Sequence, residues 1–346
     1  MSAKRSTAVS RVKQPARMYP AAWTRITVIT LLLAPLSWLF RALVVLRRYV
    51  YQSFPSLSQR LPVAVIVVGN ISVGGTGKTP LVLWLVARLR VAGYQPGIVS
   101  RGYGGAQELA HAVHGDSDAT RYGDEPVLMA RRSACPVWIG KDRVAAARAL
   151  LTANPNCNLI VSDDGLQHYR LARTFEIAVI DGARGQGNGF MLPAGPLREP
   201  PERLNSVDAV VVRGAVAAPK PATPPHFAMT LEATGLRNLH DANLHLPVSG
   251  LHGLRVHAIA GIGNPQQFFD MLTRLGIAHT PHAFADHHVF TAADIEYADC
   301  DAVVMTEKDG VKCERYASAR HWALRVDARV DEALAQVLLA QINRKR

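Results

Sequence analysis

Acidic residues are absent from the first 107 residues of this chain, although that region contains fourteen lysines and arginines. The first acidic residue is Glu108, and the formal net charge of the whole chain is +12. A basic region of this length favours an anionic partner, either nucleic acid or the acidic face of a membrane. Because the chain lacks an RRM, helix-turn-helix or zinc-finger signature, we do not expect it to bind nucleic acid.

Cysteine is also scarce, with four residues at Cys135, Cys157, Cys300 and Cys313. None belongs to a C-x-x-C pair or lies beside a histidine at zinc-finger spacing, which argues against a disulfide scaffold and a zinc site. The content of 49% hydrophobic and 19% charged residues is that of a globular protein, and 346 residues suffice for two domains. No internal repeat is present.

Long apolar runs are limited to one, at residues 26–40, which Arg41 interrupts before the run continues over 42–46. A membrane span needs about 20 predominantly apolar residues. A signal peptide, a buried soluble helix and a membrane-embedded helix are the three interpretations. The absence of a small-residue cleavage site argues against the first. The aromatic residues Trp23, Trp38, Tyr49 and Tyr51 suit an interfacial belt and favour the third. We expect residues 1–60 to form a basic segment and a membrane-associated helix that either spans the bilayer or lies in its interface.

From residue 61 the pattern alternates between strand and helix. Short apolar, β-branched runs predict buried strands at 63–69, 95–105, 136–140, 158–165, 175–182 and 207–214. Helical patterns separate several of them, so we predict an α/β fold with a P-loop NTPase-like, doubly wound and mostly parallel sheet. The predicted nucleotide-binding domain covers 61–225 and ends in an Ala/Pro-rich connector.

A second, smaller α/β domain is predicted at 226–330, followed by a C-terminal helix at 331–346. In it, 257–276 has the pattern strand, glycine turn and helix, and 301–310 has the pattern strand and loop. We expect the segments 321–326 and 226–231 to pair as a short β linker between the domains.

The most specific motif is SVGGTGKT, directly after the first predicted strand and directly before a helix. This is the context of a Walker A loop, whose glycines let backbone N–H groups surround phosphate oxygens. In such a loop Lys78 reaches the β- and γ-phosphates and Thr79 holds Mg²⁺. Ser72 stands where the pattern has its first glycine. The predicted nucleotide-binding residues are Ser72, Val73, Gly74, Gly75, Thr76, Gly77, Lys78 and Thr79.

Two further features define the expected nucleotide and metal. Asp163 and Asp164 end a buried strand, where an acid holds Mg²⁺ in P-loop proteins, so we predict both as metal-site residues with Thr79. Residues 306–309 (TEKD) resemble a guanine-specificity loop, but the spacing of Lys308 and Asp309 is wrong. The cofactors predicted are therefore ATP and Mg²⁺.

Several shorter motifs contain polar residues suited to an acceptor substrate. GDEP places Asp124 in a loop, and Lys141 and Arg143 lie at a helix start where they can bind an anion. A long Gly/Pro loop at 188–200, which begins at Asn188 and contains Arg198 and Glu199, follows a strand at the carboxyl edge of the sheet. Loops at this edge are natural places for substrate contacts.

The ordered set of motifs resembles the tetraacyldisaccharide 4′-kinase family of lipid A biosynthesis. The set comprises GNISVGGTGKTP, SRGYGG, GDEP, GKDR, SDDGLQHYRLAR, LPAGPLREP, AGIGNP, ADHHVFT and TEKDGVK. The resemblance covers about residues 61–312 and extends to the N-terminal apolar segment. It implies transfer of the ATP γ-phosphoryl group to the 4′-hydroxyl of a tetraacylated glucosamine disaccharide 1-phosphate. It also implies attachment to the cytosolic face of the bacterial inner membrane.

The resemblance implies residue roles as well. Asp124 is expected to be the base that accepts the proton of the sugar hydroxyl, with Lys78 as the second catalytic group. One histidine of the Asp286-His287-His288 group is expected against Asp124, and we favour His287 over His288. The residues expected to contact the substrate are Lys141, Arg143, Asn188, Arg198, Glu199 and His288.

Two other functions are compatible with parts of the sequence. A membrane-associated P-loop ATPase coupled to a protein partner would need no phosphoryl acceptor except water, whereas the kinase requires no protein partner. A nucleic-acid-stimulated ATPase is suggested only by the basic charge. The ordered acceptor-side motifs favour the kinase over both.

Overall fold

A computed structural model describes residues 21–102, 109–214 and 223–344. The basic residues 1–20, part of the SRGYGG motif and most of the predicted connector lie outside these ranges. The helices are α1 Ala21–Thr24, α2 Val28–Ser53, α3 Lys78–Val91, α4 Ala119–Tyr122, α5 Asp124–Ser133, α6 Arg143–Ala153, α7 Pro265–Arg274, α8 Ala292–Ile295, α9 Glu307–Cys313 and α10 Ala333–Arg344. Short 3₁₀ turns occupy Pro55–Leu57, Pro201–Ser206, Val248–Leu251 and Glu314–Tyr316.

The described strands form a single sheet with the order β11-β10-β12-β13-β8-β7-β6-β1-β5-β2-β4-β3, and β9 pairs with β8 at one side. Their bounds are β1 Ala64–Gly69, β2 Pro96–Ser100, β3 His111–Val113, β4 Val137–Ile139, β5 Leu159–Asp163, β6 Phe175–Asp181, β7 Ala209–Arg213, β8 His226–Asn238, β9 His245–Leu246, β10 Val256–Ala260, β11 His279–Ala283, β12 Ala302–Thr306 and β13 His321–Val330. Pairing is parallel except between β3 and β4, β8 and β9, and β8 and β13. The predicted α/β fold with a mostly parallel sheet is confirmed.

The sheet contains two α/β units. Strands β1–β7 form the first unit, and β10–β12 with their helices form the second. The first unit has a core on each face of its sheet, which is why its central strands are apolar along their whole length. The predicted domain boundaries after residues 60, 225 and 330 remain predictions.

Strands β8 and β13 form the antiparallel ribbon between the units, as expected for the linker. The register differs from the predicted one, because 322–326 lie opposite 233–238 and Val330 lies opposite Met229. Strand β8 also pairs in parallel with β7, so the ribbon continues the sheet of the first unit.

The C-terminal helix α10 returns to the first unit, where Leu334, Leu338 and Ile342 join its core. Tyr94 donates a hydrogen bond of 3.0 Å to the side chain of Asn343. The predicted C-terminal helix is therefore present, and its packing on the first unit is a finding of the structure.

The segment after β12 was expected to be a loop, but it forms the helix α9. Thr306 caps this helix by accepting a hydrogen bond from the backbone of Asp309, and that cap stabilises a helix despite Gly310 in its centre. The helical spacing places Lys308 and Lys312 four residues apart, on the same face of α9.

Helix α2 has 26 residues and is longer than the predicted apolar segment. Among the described residues it is the one helix long and apolar enough to cross a membrane by length and composition. Only 17% of its most apolar stretch is buried, so it is not the core helix of a soluble protein. Arg41, in the middle of the helix, forms an ion pair with Glu202 of the first unit.

Candidate active site

The Gly-rich loop connects the end of β1 to the start of α3, in the centre of the first unit. Gly74 and Gly77 both have φ of 90°, a conformation that disfavours other residues. Lys78 is the first residue of α3, so the loop delivers its backbone N–H groups and this side chain to the N-terminus of a helix. The geometry is that of a phosphate-binding loop.

Neighbouring loops support this Gly-rich loop from the outside. The backbone N–H of Val73 donates to the carbonyl of Pro196, and that of Arg198 donates to Ile71, at 2.9 and 2.7 Å. The Gln167 side chain donates to the Asn70 carbonyl at 3.0 Å. The loop at 188–200 is thus hydrogen-bonded directly to the Gly-rich loop and its flanking residues. These bonds hold the loop at 188–200 close to the site.

The two strand-end carboxylates differ in their partners. Lys78 Nζ lies 3.3 Å from Asp164 Oδ1, and Arg198 donates to Asp164 Oδ2 at 3.2 Å. Burial raises the pKa of Asp164, but the charges of Lys78 and Arg198 outweigh burial and lower it overall. Asp164 therefore holds the P-loop lysine and one predicted substrate residue together.

Asp163 is almost fully buried at the end of β5, next to Val68 of β1. Ser100 donates to its Oδ2 at 3.1 Å, while its Oδ1 has no hydrogen-bond partner among the described residues. Burial, with the negative charges of Glu125 and Asp164, raises the pKa of Asp163 to about 7. A bound cation would pair with this carboxylate oxygen and compensate its negative charge. Such pairing is favourable because a buried charge without a partner is costly.

The residues present fit Mg²⁺, although no three His, Cys, Asp or Glu side chains converge within the described part of the chain. Mg²⁺ keeps several waters and takes one or two carboxylates together with substrate phosphates, so it needs no such cluster. Thr79, half-buried in the first turn of α3, and Asp163 supply the oxygen ligands expected here.

A second polar cluster is built where the two units meet. Asp124 begins α5 in the first unit, and its side chain is 4% exposed. His287, in the loop after β11, lies with Nδ1 3.2 Å from Asp124 Oδ2. The left-handed conformation of His287, with φ of 58°, orients its ring toward the first unit. The structure thus brings the expected pair together with the favoured histidine.

Two lysines of α9 complete this cluster. Lys312 Nζ lies 3.6 Å from Asp124 and 2.8 Å from Asp309, and it is 7% exposed. Lys308 Nζ lies 3.1 Å from Glu125 and 3.6 Å from Asp286. Lys308, Lys312 and His287 of the second unit therefore surround Asp124 of the first, and Glu125, Asp286 and Asp309 add further carboxylates.

These neighbours determine the pKa of Asp124. Burial alone would raise it, but the hydrogen bond from His287 and the charges of Lys308 and Lys312 lower it. The hydrogen bond to Asp124 in turn raises the pKa of His287. Asp124 is therefore ionised at neutral pH and can accept a proton, which a protonated carboxyl group cannot do.

The other predicted substrate residues fall into two groups. Arg198 is near Asp164, and Lys141 is exposed just before α6. His288 faces away from Asp124, since it lies 3.4 Å from Asp294 and packs against Phe290. Arg198, Lys141 and His288 all keep exposed surface that a ligand can reach.

Asn188, Glu199 and Arg143 instead have internal partners. The Asn188 side chain donates to the carbonyl of Ala194 at 2.8 Å, so it stabilises its own loop. Glu199 has 0% exposure and accepts a hydrogen bond from Tyr169 at 2.6 Å. Arg143 is 3% exposed and donates to the carbonyl of Gly140. Their positions give no support to direct substrate contact.

The sequence analysis did not identify Lys308, Lys312, Arg184 and Arg213 as site residues. The TEKDGVK segment contains a helix-capping signal, a Thr followed three residues later by Asp, which neither the guanine-loop pattern nor the family resemblance uses. Recognising α9 would have placed both lysines on one face. Arg184 and Arg213 lie outside every quoted motif, so no local signal indicated them.

Comparison with known proteins gives concordant results. The family model described as tetraacyldisaccharide-1-P 4′-kinase matches residues 29–343. A tetraacyldisaccharide 4′-kinase of Aromatoleum aromaticum is 50% identical, covering 96% of this chain and 99% of that protein. One from Methylobacillus flagellatus is also 50% identical, covering 91% and 92%.

A solved structure is similar as well. The crystal structure of "apo" form LpxK from Aquifex aeolicus in complex with ATP superimposes with a TM-score of 0.79 at 28% identity. The match covers 91% of this chain and 100% of the other.

Proposed function

This chain belongs to the tetraacyldisaccharide-1-P 4′-kinase family, and we propose that its two polar clusters divide the reaction between them. It is an ATP-dependent kinase that transfers the γ-phosphoryl group to the 4′-hydroxyl of a tetraacylated glucosamine disaccharide 1-phosphate, a lipid A precursor. The observation that carries the division of roles is the contact between Asp124 of the first unit and His287 of the second.

In the nucleotide cluster, the N–H groups of the loop bind the phosphates of ATP. Lys78 and Arg198 stabilise the negative charge that spreads over the oxygens of the transferred group. Asp164 positions both cations through its two carboxylate oxygens. Thr79 and Asp163 hold Mg²⁺, which neutralises phosphate charge when it is bound.

In the acceptor cluster, Asp124 accepts the proton of the 4′-hydroxyl as the oxygen of that group attacks the γ-phosphorus. His287 orients the carboxylate of Asp124 through the hydrogen bond to Oδ2. Lys308 and Lys312 keep Asp124 ionised in its buried position, so that it is able to accept the proton of the hydroxyl. General base catalysis of this kind contributes about 10²- to 10⁴-fold to a rate.

We propose that α2 lies in the membrane interface and does not span the bilayer. Thr30, Ala34 and Ser37 are buried against the first unit, and Phe40 and Val44 continue this face. Ser37 also donates to the carbonyl of Met191 at 2.8 Å. The helix therefore contacts protein along most of its length, which a spanning helix surrounded by lipid does not do.

The opposite face of α2 is apolar and exposed, and it provides the surface for the acyl region of the bilayer. Its exposed residues include Leu32, Leu36, Leu39, Leu43 and Leu46. A protein held in this way meets a substrate that stays in the membrane through its four acyl chains. The cytosolic face of the inner membrane is the side on which ATP is available.

Vesicle flotation tests the membrane attachment. The double variant Leu32→Glu/Leu39→Glu should bind phospholipid vesicles at least about 100-fold less tightly, because each lost leucine removes about 1.5–3 kcal/mol of burial. The matched control Val91→Glu/Leu109→Glu changes two exposed apolar residues outside α2 and should float like the wild type. Equal flotation of both variants would contradict the proposal.

Depth measurements distinguish an interfacial helix from a span. Fluorophores attached at positions 32 and 46 should be quenched equally by shallow lipid quenchers if α2 lies in the interface. Markedly different depths for the two positions would indicate a span.

The reaction itself is tested by transfer of label from γ-³²P-ATP in detergent with Mg²⁺ and the tetraacyldisaccharide 1-phosphate. Label should appear at the 4′ position of the lipid. The same lipid already phosphorylated at that position is the control and should accept none. ATP hydrolysis without label in either lipid would favour the coupled ATPase instead.

A further inference from the structure

A polar network outside the two clusters surrounds the carboxylate of Asp181. Asp181 ends β6, and Arg213 ends the neighbouring β7 directly opposite it. Arg213 donates to Asp181 Oδ2 at 2.5 Å, and Arg184 donates to the same oxygen at 2.6 Å. The Asp181 side chain is only 4% exposed, so the two guanidinium groups compensate a buried charge.

Both arginines contact the phosphate-binding loop. Arg184 donates a hydrogen bond to the carbonyl of Gly75. The Cδ of Arg213 is so close to Gly77 that a Cβ atom there would lie 3.0 Å from it. Gly77 directly precedes Lys78, so Arg213 packs against the point where the loop becomes α3.

The network also reaches the second unit. Arg213 donates through a different nitrogen to Oε1 of Gln267 at 2.8 Å. Gln267 lies in the first turn of α7, and its own amide is 3.4 Å from Asp181 Oδ2. Arg213 is therefore in contact with the phosphate-binding loop on one side and with a helix of the second unit on the other.

We propose that Arg213, held by Asp181 and Gln267, is a positioning residue. It couples the position of the second unit relative to the first to the geometry of the phosphate-binding loop. When Gln267 is in place, Arg213 is held against Gly77, and Arg184 holds Gly75 through the shared carboxylate. The loop is then ordered before ATP arrives. This inference rests on the proposed function of that loop as the ATP site.

The chemistry requires arginine at this position. Its planar guanidinium donates to Asp181 and Gln267 at the same time through separate nitrogens. A lysine keeps the charge but presents a single ammonium group, so it satisfies Asp181 and loses the fixed contact with Gln267. Arg213→Lys should therefore resemble loss of Gln267 more than loss of the charge.

Kinetics and ATP titration of the full-length enzyme test the coupling. Gln267→Ala should weaken ATP binding about 5- to 20-fold, in the lower part of the usual range for coupling between sites, and raise KM for ATP with kcat changed less than about 3-fold. Arg213→Lys should give a similar result. Arg213→Ala should have a larger effect, because it also leaves Asp181 with one partner fewer.

The matched control is Gln266→Ala, an exposed neighbour in the same helical turn whose side chain donates to Asp270. It should leave both ATP binding and KM unchanged. If Gln267→Ala bound ATP as tightly as Gln266→Ala, the coupling would be refuted. If it lost kcat and thermal stability without a change in ATP affinity, the role of Gln267 would be structural.

Transfer of the γ-phosphoryl label to the lipid by the wild-type enzyme tests the kinase function separately from the coupling through Arg213. Label in the lipid with unaltered ATP binding by Gln267→Ala would overturn the coupling and leave the kinase assignment intact.

Discussion

The two polar clusters of this enzyme are constructed in different ways. The nucleotide cluster lies within the first unit, where the Gly-rich loop at 72–79 meets Asp163 and Asp164 at the end of β5 and Arg198 of the loop at 188–200. The acceptor cluster combines Asp124 of the first unit with His287, Lys308 and Lys312 of the second, which are more than 160 residues away.

This difference has a physical consequence for catalysis. Phosphate binding uses backbone N–H groups and a helix N-terminus, which form as soon as the local chain folds. The properties of Asp124 depend on charges from the second unit, since burial without them would raise its pKa. The contact between the units therefore controls the base more than it controls the phosphate-binding loop.

The largest effect should follow substitution in the nucleotide cluster. Lys78→Ala removes the cation that contacts the transferred group, and we expect transfer to fall by about 10³-fold with weaker ATP binding as well. Transfer rates and ATP titration measure the two effects. Unchanged ATP affinity would contradict the assignment of Lys78 to the nucleotide cluster.

A smaller effect should follow substitution in the acceptor cluster. Lys312→Met should lower kcat at acidic pH and leave ATP affinity unchanged, because the loss of this cation raises the pKa of Asp124. The acid limb of the rate profile should therefore move to higher pH. Arg315→Met removes an exposed cation nearby and serves as the control. A profile identical to the wild type would exclude electrostatic tuning by Lys312.

The smallest effect concerns stability and pH. The pKa of His287 is raised above its ordinary 6.5 by the hydrogen bond to Asp124. Its stabilising contribution is therefore complete below pH 6.5 and is lost as the pH rises through the higher value of the folded state. His287 is partly exposed, so we expect a difference of about 1–3 °C in melting temperature from His287→Gln at pH 6.

That melting difference should shrink toward pH 9. A difference that stays constant across this range would show that the ionisation of His287 does not contribute to the contact between the units.

The same contrast explains what the sequence could predict. The phosphate-binding loop, the order of strands and helices in the first unit and the C-terminal helix follow from local patterns of glycine and apolar residues. The resemblance to the kinase family added Asp124 and the histidine pair, which no spacing in the sequence connects.

Contacts between distant segments were harder to predict. The segment expected to be a loop forms α9, because Thr306 caps a helix there. The helical spacing of Lys308 and Lys312 then places both lysines on the side that faces Asp124. Arg213 of β7 and Gln267 of α7 lie in different units. No local sequence pattern specifies how the two units are placed, so this contact could not be predicted. Glu199 and Asn188 were predicted to contact the substrate because of the loop that contains them. In the structure Glu199 is buried and accepts a hydrogen bond from Tyr169, and Asn188 donates one to a carbonyl of its own loop.

The central claim is that Asp124 is the base and acts separately from ATP binding. The most direct measurement compares Asp124→Asn with the wild type in ATP titration and in single-turnover transfer of the γ-phosphoryl group to the lipid. The account predicts ATP binding within about 3-fold of the wild type and transfer reduced at least about 100-fold. Near-normal transfer by Asp124→Asn would contradict it.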